Sequence, residues 1–359
     1  MQPQHPSDGS AGGGEPEVSA GNILEMLQLR SSDALAGWLA RKLASLYTPS
    51  RARVLRVFPG AAARSRSVPR YAVFPVDDAQ EPPALVPLDG LLVDAIREAR
   101  PWCLVRNDAR SRLLVTLAVA GEARYVVELT GGFDAGDGTR LAAFAGIASR
   151  YYERLVDAET DPLTRLGNRR AFQGQLDASL RRWTSAGQLG HFAVLDIDHF
   201  KRINDELGHL YGDEILVRFS QLMRETFRAG DLLYRFGGEE FVAVYGVEHE
   251  EHGGLPLERF RAAVERHRFP GVRTVTVSAG HARIRDASTP AATLIDRADL
   301  ALYYAKGHGR NRVCGWEELV AAGELEMVPA NREVTLFDRD VTPAQAGARL
   351  DPGLGRGDT

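Results

Sequence analysis

Between Asn22 and Tyr47 the apolar residues Ile23, Leu24, Leu27, Leu35, Trp38, Leu39, Leu43 and Leu46 recur at helical spacing, broken by the turn-prone Ser31-Ser32-Asp33. The pattern predicts two helices. Short runs rich in β-branched and aromatic residues follow at 53–58, 71–74, 113–117 and 125–129, with a helical stretch from Leu88 to Arg97 among them. Together they predict an α+β module over 21–135. Next, Leu141, Phe144, Ala148, Tyr151, Leu155 and Ala158 alternate spacings of three and four across a linker helix at 139–160. That periodicity fits the seam of a short coiled coil, and equally a single amphipathic helix packing on its own domain. Pro162 must break or restart the helix, which sets a domain boundary.

Beyond the boundary the pattern alternates more regularly. It predicts a helix near Arg170 to Trp183, a buried strand at 192–197, and a longer helix carrying Ile215, Leu216, Phe219, Leu222, Met223 and Phe227. Strands at 232–236 and 241–245 follow, joined in a hairpin through Gly237-Gly238-Glu239-Glu240. A helix from Pro256 to His267, a strand at 274–279, a helix from Ala291 to Lys306 and a strand at 312–314 complete the set. A central antiparallel sheet with flanking helices is the expected product, over 161–316. The first 20 residues and the stretch 317–359, rich in Gly, Pro and acidic residues, read as a disordered leader and a mostly disordered tail.

The composition narrows the function classes. With 44% hydrophobic and 26% charged residues and a formal charge of −4, no global field draws the chain to nucleic acid or lipid. No stretch reaches the ~20 apolar residues of a membrane span, and the leader lacks a signal peptide's basic start and apolar run, so a cytoplasmic location is expected. Cys103 and Cys314 are far apart in sequence and in no metal-like spacing, which suits a reducing compartment.

Three acids carry the candidate chemistry. Asp196 closes an apolar strand, and Glu239 and Glu240 sit on the hairpin. Acids so gathered repel one another unless a cation joins them, and a Mg²⁺ pair held by a few carboxylates plus substrate phosphates is the usual arrangement in phosphoryl transfer. The carbonyl of Ile197 is available as a further ligand. Each acid alone reads more simply as a solvated turn or strand-end residue. Lys201 with the amides of 198–201, and Lys306 with Arg310 in a glycine-rich helix end, are phosphate-binding candidates. Asn204 and Asp213 have the donors and acceptors to read a guanine edge, although either alone suits a cap or turn.

The ordered motifs Asp161-Pro-Leu-Thr-Arg-Leu-Gly-Asn-Arg169, Asp196-Ile-Asp-His-Phe-Lys-Arg-Ile-Asn-Asp205, Gly208-His209, Gly212-Asp213-Glu214, Arg235-Phe-Gly-Gly-Glu-Glu-Phe241, Val277-Ser-Ala-Gly280 and Ala298-Asp-Leu-Ala-Leu-Tyr-Tyr-Ala-Lys306 resemble the GGDEF-domain diguanylate cyclases. The resemblance implies a palm-like nucleotidyl cyclase fold that condenses two GTP into cyclic di-GMP in signal transduction. It implies metal ligation by Asp196, the Ile197 carbonyl, Glu239 and Glu240, with Mg²⁺ (or Mn²⁺) as the ion. Glu239 would also help deprotonate the attacking 3′-hydroxyl, and Lys201 would stabilise phosphate charge. Asn204, His209 and Asp213 would contact the nucleotide, Lys306 and Arg310 the β- and γ-phosphates, and Arg235 would flank the site. Arg228-Ala-Gly-Asp231 resembles the family's inhibitory product site for cyclic di-GMP. Because each domain resembles a half-site for one GTP, a homodimer is implied, which favours the dimer reading of the 139–160 helix. The order of elements in 21–135 resembles a GAF-type sensory domain.

The main alternative is a silent receptor that binds GTP or cyclic di-GMP without turnover; silent members usually have broken signature acids, and here they are intact. A palm-like fold also suits an adenylyl cyclase or polymerase, but the signature residues point elsewhere. No basic patch with interleaved aromatics supports nucleic-acid binding. His249 and His252 lie among acids in a segment that reads as a solvated loop.

Overall fold

The computed structural model describes residues 19–47, 51–57, 71–75, 102–107, 110–120, 122–133, 135–176, 189–228, 230–269, 274–284 and 289–325, with 49, 92 and 271. The chain forms two compact units that meet in sequence between Arg154 and Leu155.

The first unit opens with α1 (Ala20–Leu27) and α2 (Ser32–Tyr47). Ser19 caps α1 by accepting from the Asn22 amide at 3.4 Å, and the Ser31 hydroxyl accepts from the Ala34 amide at 3.1 Å where α2 begins. Strands β1 (Arg51–Val57), β2 (Tyr71–Pro75), β3 (Trp102–Asn107), β4 (Arg110–Val119) and β5 (Glu122–Gly131) pair antiparallel in the order β2-β1-β5-β4-β3. The edge strand β3 was not expected, since its short Trp-Cys-Leu-Val run becomes a strand only by pairing with β4. The expected helix at 88–97 lies outside the described residues except for Leu92, which is helical and buried. Glu128 of β5 is buried between two guanidiniums, Arg53 of β1 and Arg112 of β4, the latter at 2.7 Å.

Helix α3 (Ala135–Glu159) corrects the coiled-coil expectation. Leu141, Phe144 and Ala148 are buried in their own unit, with the Phe144 ring 6.2 Å from that of Trp38 and the Ser149 hydroxyl donating to the Thr116 carbonyl. Tyr151 donates to the carbonyls of Leu27 and Leu29, and Ala158 is exposed. The helix turns its apolar face to its own domain, because the sheet and α2 leave an apolar surface there to be covered.

In the second unit a helical stretch at 169–176 leads towards β6 (Leu189–Ile197), with 177–188 outside the described residues. Then come α4 (Phe200–Leu207), α5 (His209–Thr226), β7 (Leu232–Arg235), β8 (Glu240–Val247), α6 (Leu255–Arg266), β9 (Val277–Ile284), α7 (Ala291–Gly307), β10 (Val313–Gly315) and α8 (Trp316–Ala321). The sheet order is β10-β9-β6-β8-β7, antiparallel except that β10 runs parallel to β9 at the edge. Strand β6 reads as an unbroken apolar run because both its faces are buried. Ala193 and Leu195 pack with Phe219 and Met223 of α5 and Phe260 of α6, while Phe192 and Val194 pack with Leu294, Ala298 and Ala301 of α7. A Cβ on Gly280 of β9 would fall 2.1 Å from the Ala298 carbonyl oxygen, so the absent side chain lets α7 lie backbone-close on the sheet.

Two boundaries move from their expected places. Strand β9 runs to Ile284 because it stays in register with β6 as far as Gly190. The ordered domain also passes 316, since Trp316 is buried and Leu319, Val320 and Leu325 pack against the α7 side of the core. The leader up to 18 and the tail from 326 lie outside the described residues.

Candidate functional site

Asp196 is buried next to the end of β6, in register with Glu240 of β8 on one side and Ser278 of β9 on the other. Glu239 enters through its backbone, its carbonyl accepting from the Ile197 amide at 3.3 Å. The hairpin that presents both glutamates is narrow. The Glu240 carbonyl accepts from the amides of Phe236 and Gly237, and a Cβ on Gly237 would fall 1.9 Å from a Glu240 carboxylate oxygen.

Arg235 was expected to flank substrate, but its donors are engaged within the fold. They reach the carbonyls of Gly237 (3.2 Å) and Gly238 (2.9 Å) and the Asp161 carboxylate (3.2 Å), so Arg235 braces the hairpin against the start of the domain. Burial pushes the Asp161 carboxyl up, but the Thr164 hydroxyl and amide and the Arg235 guanidinium outweigh it and hold the group below the usual carboxylate range.

Two elements flank the acids. His199, at φ 58°, turns the chain from β6 into α4, whose buried Phe200 and Ile203 anchor it while Lys201 stays exposed. Asn204 is half-buried where α4 meets α5, and a Cβ on Gly212 would fall 1.9 Å from its Oδ1, so this close approach requires glycine. His209 and Asp213 lie one turn apart on the exposed face at the start of α5. On the other side, Lys306 in the last turn of α7 puts its Nζ 2.9 Å from Asp196 Oδ2. Arg310 is exposed on the following turn, where Gly309, Arg310 and Asn311 all have positive φ, at 104°, 60° and 48°.

A buried acid on a strand, a second acid in register with it and an ammonium in contact bring opposite charges together at one end of the sheet. Among the described residues no group of three or more His, Cys, Asp and Glu is placed to hold a metal ion. Residues 158–312 match the family described as "Diguanylate cyclase, GGDEF domain".

Residues 158–312 form a GGDEF domain.

This GGDEF domain is similar to "Diguanylate cyclase DgcP" of Pseudomonas aeruginosa, 42% identical over 174 residues, a span covering 46% of this chain and 26% of that protein. It is similar also to "Response regulator PleD" of Caulobacter vibrioides, 41% identical over 164 residues, covering 44% of this chain and 36% of the relative. "Diguanylate cyclase DgcS" of Shewanella oneidensis is 36% identical over 165 residues, covering 46% of this chain and 55% of the relative. The chain thus matches between 26% and 55% of the length of these curated relatives. Among solved structures, the GGDEF domain of DgcB from Caulobacter crescentus in complex with c-di-GMP shares 36% identity, over 45% of this chain and 97% of that one, with a TM-score of 0.41.

Elsewhere in the GGDEF domain, Arg228 and Asp231 do not face each other as a charge pair. Asp231 accepts from the Arg228 backbone amide at 2.7 Å, while the Arg228 guanidinium is exposed and reaches Glu248 at 3.2 Å. Burial raises the Asp231 carboxyl to about 6. The Asp198 amide, one of the phosphate-binding candidates at 198–201, instead donates to the Thr276 carbonyl at 2.9 Å. The side chains of Asp198 and Asn311 were given no role by the sequence, because nothing in the local pattern shows that the two residues meet.

Proposed function

We propose that this chain is a diguanylate cyclase, joining two GTP into cyclic di-GMP with release of two pyrophosphates. The observation that carries the reading is Asp196, buried in register with Glu240 and touched by the Lys306 ammonium, an arrangement of two acids and a cation that suits the proposed metal and phosphate roles. The GGDEF match and the named cyclases at 36–42% identity support it.

Mg²⁺, or Mn²⁺, would be held by Asp196, the Ile197 carbonyl, Glu239 and Glu240, and would supply positive charge at the reacting phosphate. The chain's own residues then have distinct tasks. Glu239 accepts the proton of the 3′-hydroxyl as its oxygen attacks the α-phosphorus of the second GTP, in line with departing pyrophosphate. Lys201, Lys306 and Arg310 balance phosphate charge, and most of the rate comes from such positioning and electrostatics. Asn204 and Asp213 read the guanine, beside His209. Since this constellation holds one GTP, two copies must face each other, so the active form is a homodimer. With the α3 seam covered in its own unit, the dimer must form through other surfaces.

Two regulatory readings accompany the proposal. Arg228, with its exposed guanidinium, and Asp231 bind cyclic di-GMP as a feedback site, and residues 21–135 act as a GAF-like sensory module, supported by their sheet with helices before and after it. Work in the cytoplasm is part of this reading; among the described residues no helix is long and apolar enough to cross a membrane.

The test is to incubate the full chain with GTP and Mg²⁺ and resolve the products by chromatography beside Glu239→Ala. Cyclic di-GMP from the native chain is expected, with a fall of roughly 100-fold or more in the variant. No product, after bound cyclic di-GMP has been stripped away, would overturn the cyclase reading.

A further inference from the structure

The turn that carries Arg310 is an expensive conformation. Residues 309–311 all have positive φ, and two of them, Arg310 and Asn311, carry side chains that this region disfavours. Such a turn persists only if its surroundings fix it, and the fixing residues can be traced. Asp198, buried just past the end of β6, accepts from the Asn311 amide at 3.0 Å, from the Thr276 hydroxyl at 2.7 Å and from the Ser278 hydroxyl at 2.7 Å. Its own amide donates to the Thr276 carbonyl at 2.9 Å. Asn311 is held from its other end by α6, its Oδ1 accepting from Arg261 at 2.8 Å and its Nδ2 donating to Glu265 at 2.7 Å.

These bonds join three pieces of backbone that the proposed chemistry needs in fixed relation. Asp198 is two residues past Asp196 and one before the left-handed His199 that starts α4 and Lys201. The turn it grips lies between Lys306 and β10. Three protein donors hold the two oxygens of the buried Asp198 carboxylate.

We propose that Asp198, with Asn311 as its counterpart, is a positioning residue that sets the span between the metal acids and the triphosphate-gripping cations Lys306 and Arg310. The inference rests on the cyclase reading of the same site. It assigns to the second acid of the Asp-Ile-Asp run a task other than metal ligation: the clasp determines whether the β- and γ-phosphates are held, and leaves guanine reading to Asn204 and Asp213.

The test compares Asp198→Ala, Asp198→Asn and Asn311→Ala in the full chain, by titration with a non-hydrolysable GTP analogue and with GMP and by steady-state kinetics. An asparagine at 198 can still turn its carbonyl to the Asn311 amide while its NH₂ donates to Ser278, so the hydrogen-bond role predicts rescue. Asp198→Ala and Asn311→Ala should each weaken the analogue about tenfold, close to 1.4 kcal/mol, leave GMP within twofold, and raise KM more than they lower kcat. Asp198→Asn should stay within about threefold of native, since one polar partner is exchanged without leaving the Asn311 amide unpaired.

Asp198→Asn as damaging as Asp198→Ala would overturn the proposal, because a metal ligand or an obligatory charge behaves that way. Equal loss of GMP and analogue would overturn it too. If Asp198→Ala does not fold, Asp198→Ser, polar but too short to reach the Asn311 amide, takes its place with the same expected loss; Asn311→Ala keeps that amide and tests the Arg261 and Glu265 bonds that hold the turn from its other end. Failure of the cyclase reading looks different: the native chain would make no product, while amide exchange at Asn311 would still speed up in whichever of the two alanine variants folds, and would not in Asp198→Asn.

Discussion

Gly280 shows how little room the GGDEF domain leaves at single positions. Any Cβ there meets the backbone of α7 at Ala298 and Leu302 rather than a movable side chain. Gly280→Ala is expected to cost about 1–3 kcal/mol in urea unfolding and, by lifting α7, to lower activity through Lys306. His191 and His281 make a second case at this scale. Both are buried, with ring centroids 5.3 Å apart near Arg283 and Glu318. Burial, with the neighbouring positive groups adding, lowers His191 to about 3; burial lowers His281 to about 4, against Glu318, which raises it. The folded state holds both rings neutral where the unfolded chain protonates them near pH 6.5. Their contribution is therefore complete above pH 6.5 and lost as pH falls towards 4, at on the order of 1 kcal/mol per pH unit for each histidine. Thermal midpoints between pH 7 and 5 should fall accordingly, and His191→Phe should flatten the dependence.

Elements differ in how far their identity could be read from sequence. Strand β6 was legible because two buried faces force a continuous apolar run, and the acids and lysines stood out by residue type and spacing. Strand β3, the parallel direction of β10 and the packing of Trp316 were not, because each is decided by a partner far along the chain. The same holds for the clasp, where the Asn311 amide meets a carboxylate 113 residues away. Helix α3 is the instructive case, since its periodicity of three and four serves an intermolecular seam and an intramolecular face equally well, and contacts with distant residues, Trp38–Phe144 and Tyr151 to the Leu27 and Leu29 carbonyls among them, separate the two. Phe144→Ala should thus act on the fold of the first unit, lowering its stability by about 3–5 kcal/mol in denaturant melts. A mutation confined to a dimer seam would instead leave monomer stability unchanged and shift only the association constant.

For the whole molecule, the proposed cyclase reading with its half-site argument would make activity a property of pairs. Turnover per chain should rise with protein concentration until the dimer is saturated, and sedimentation velocity over the same range should show the transition. Flat turnover from a species that stays monomeric would contradict the paired mechanism. The way α3 is used also bears on how such proteins are dissected. A fragment cut near Ala135 to isolate the catalytic half would lose Trp38 and bring Leu141, Phe144 and Ala148 into water as a bare apolar stripe. Two such stripes would zip together, and the shortened protein would report a pairing that comes from the scissors rather than from the intact chain.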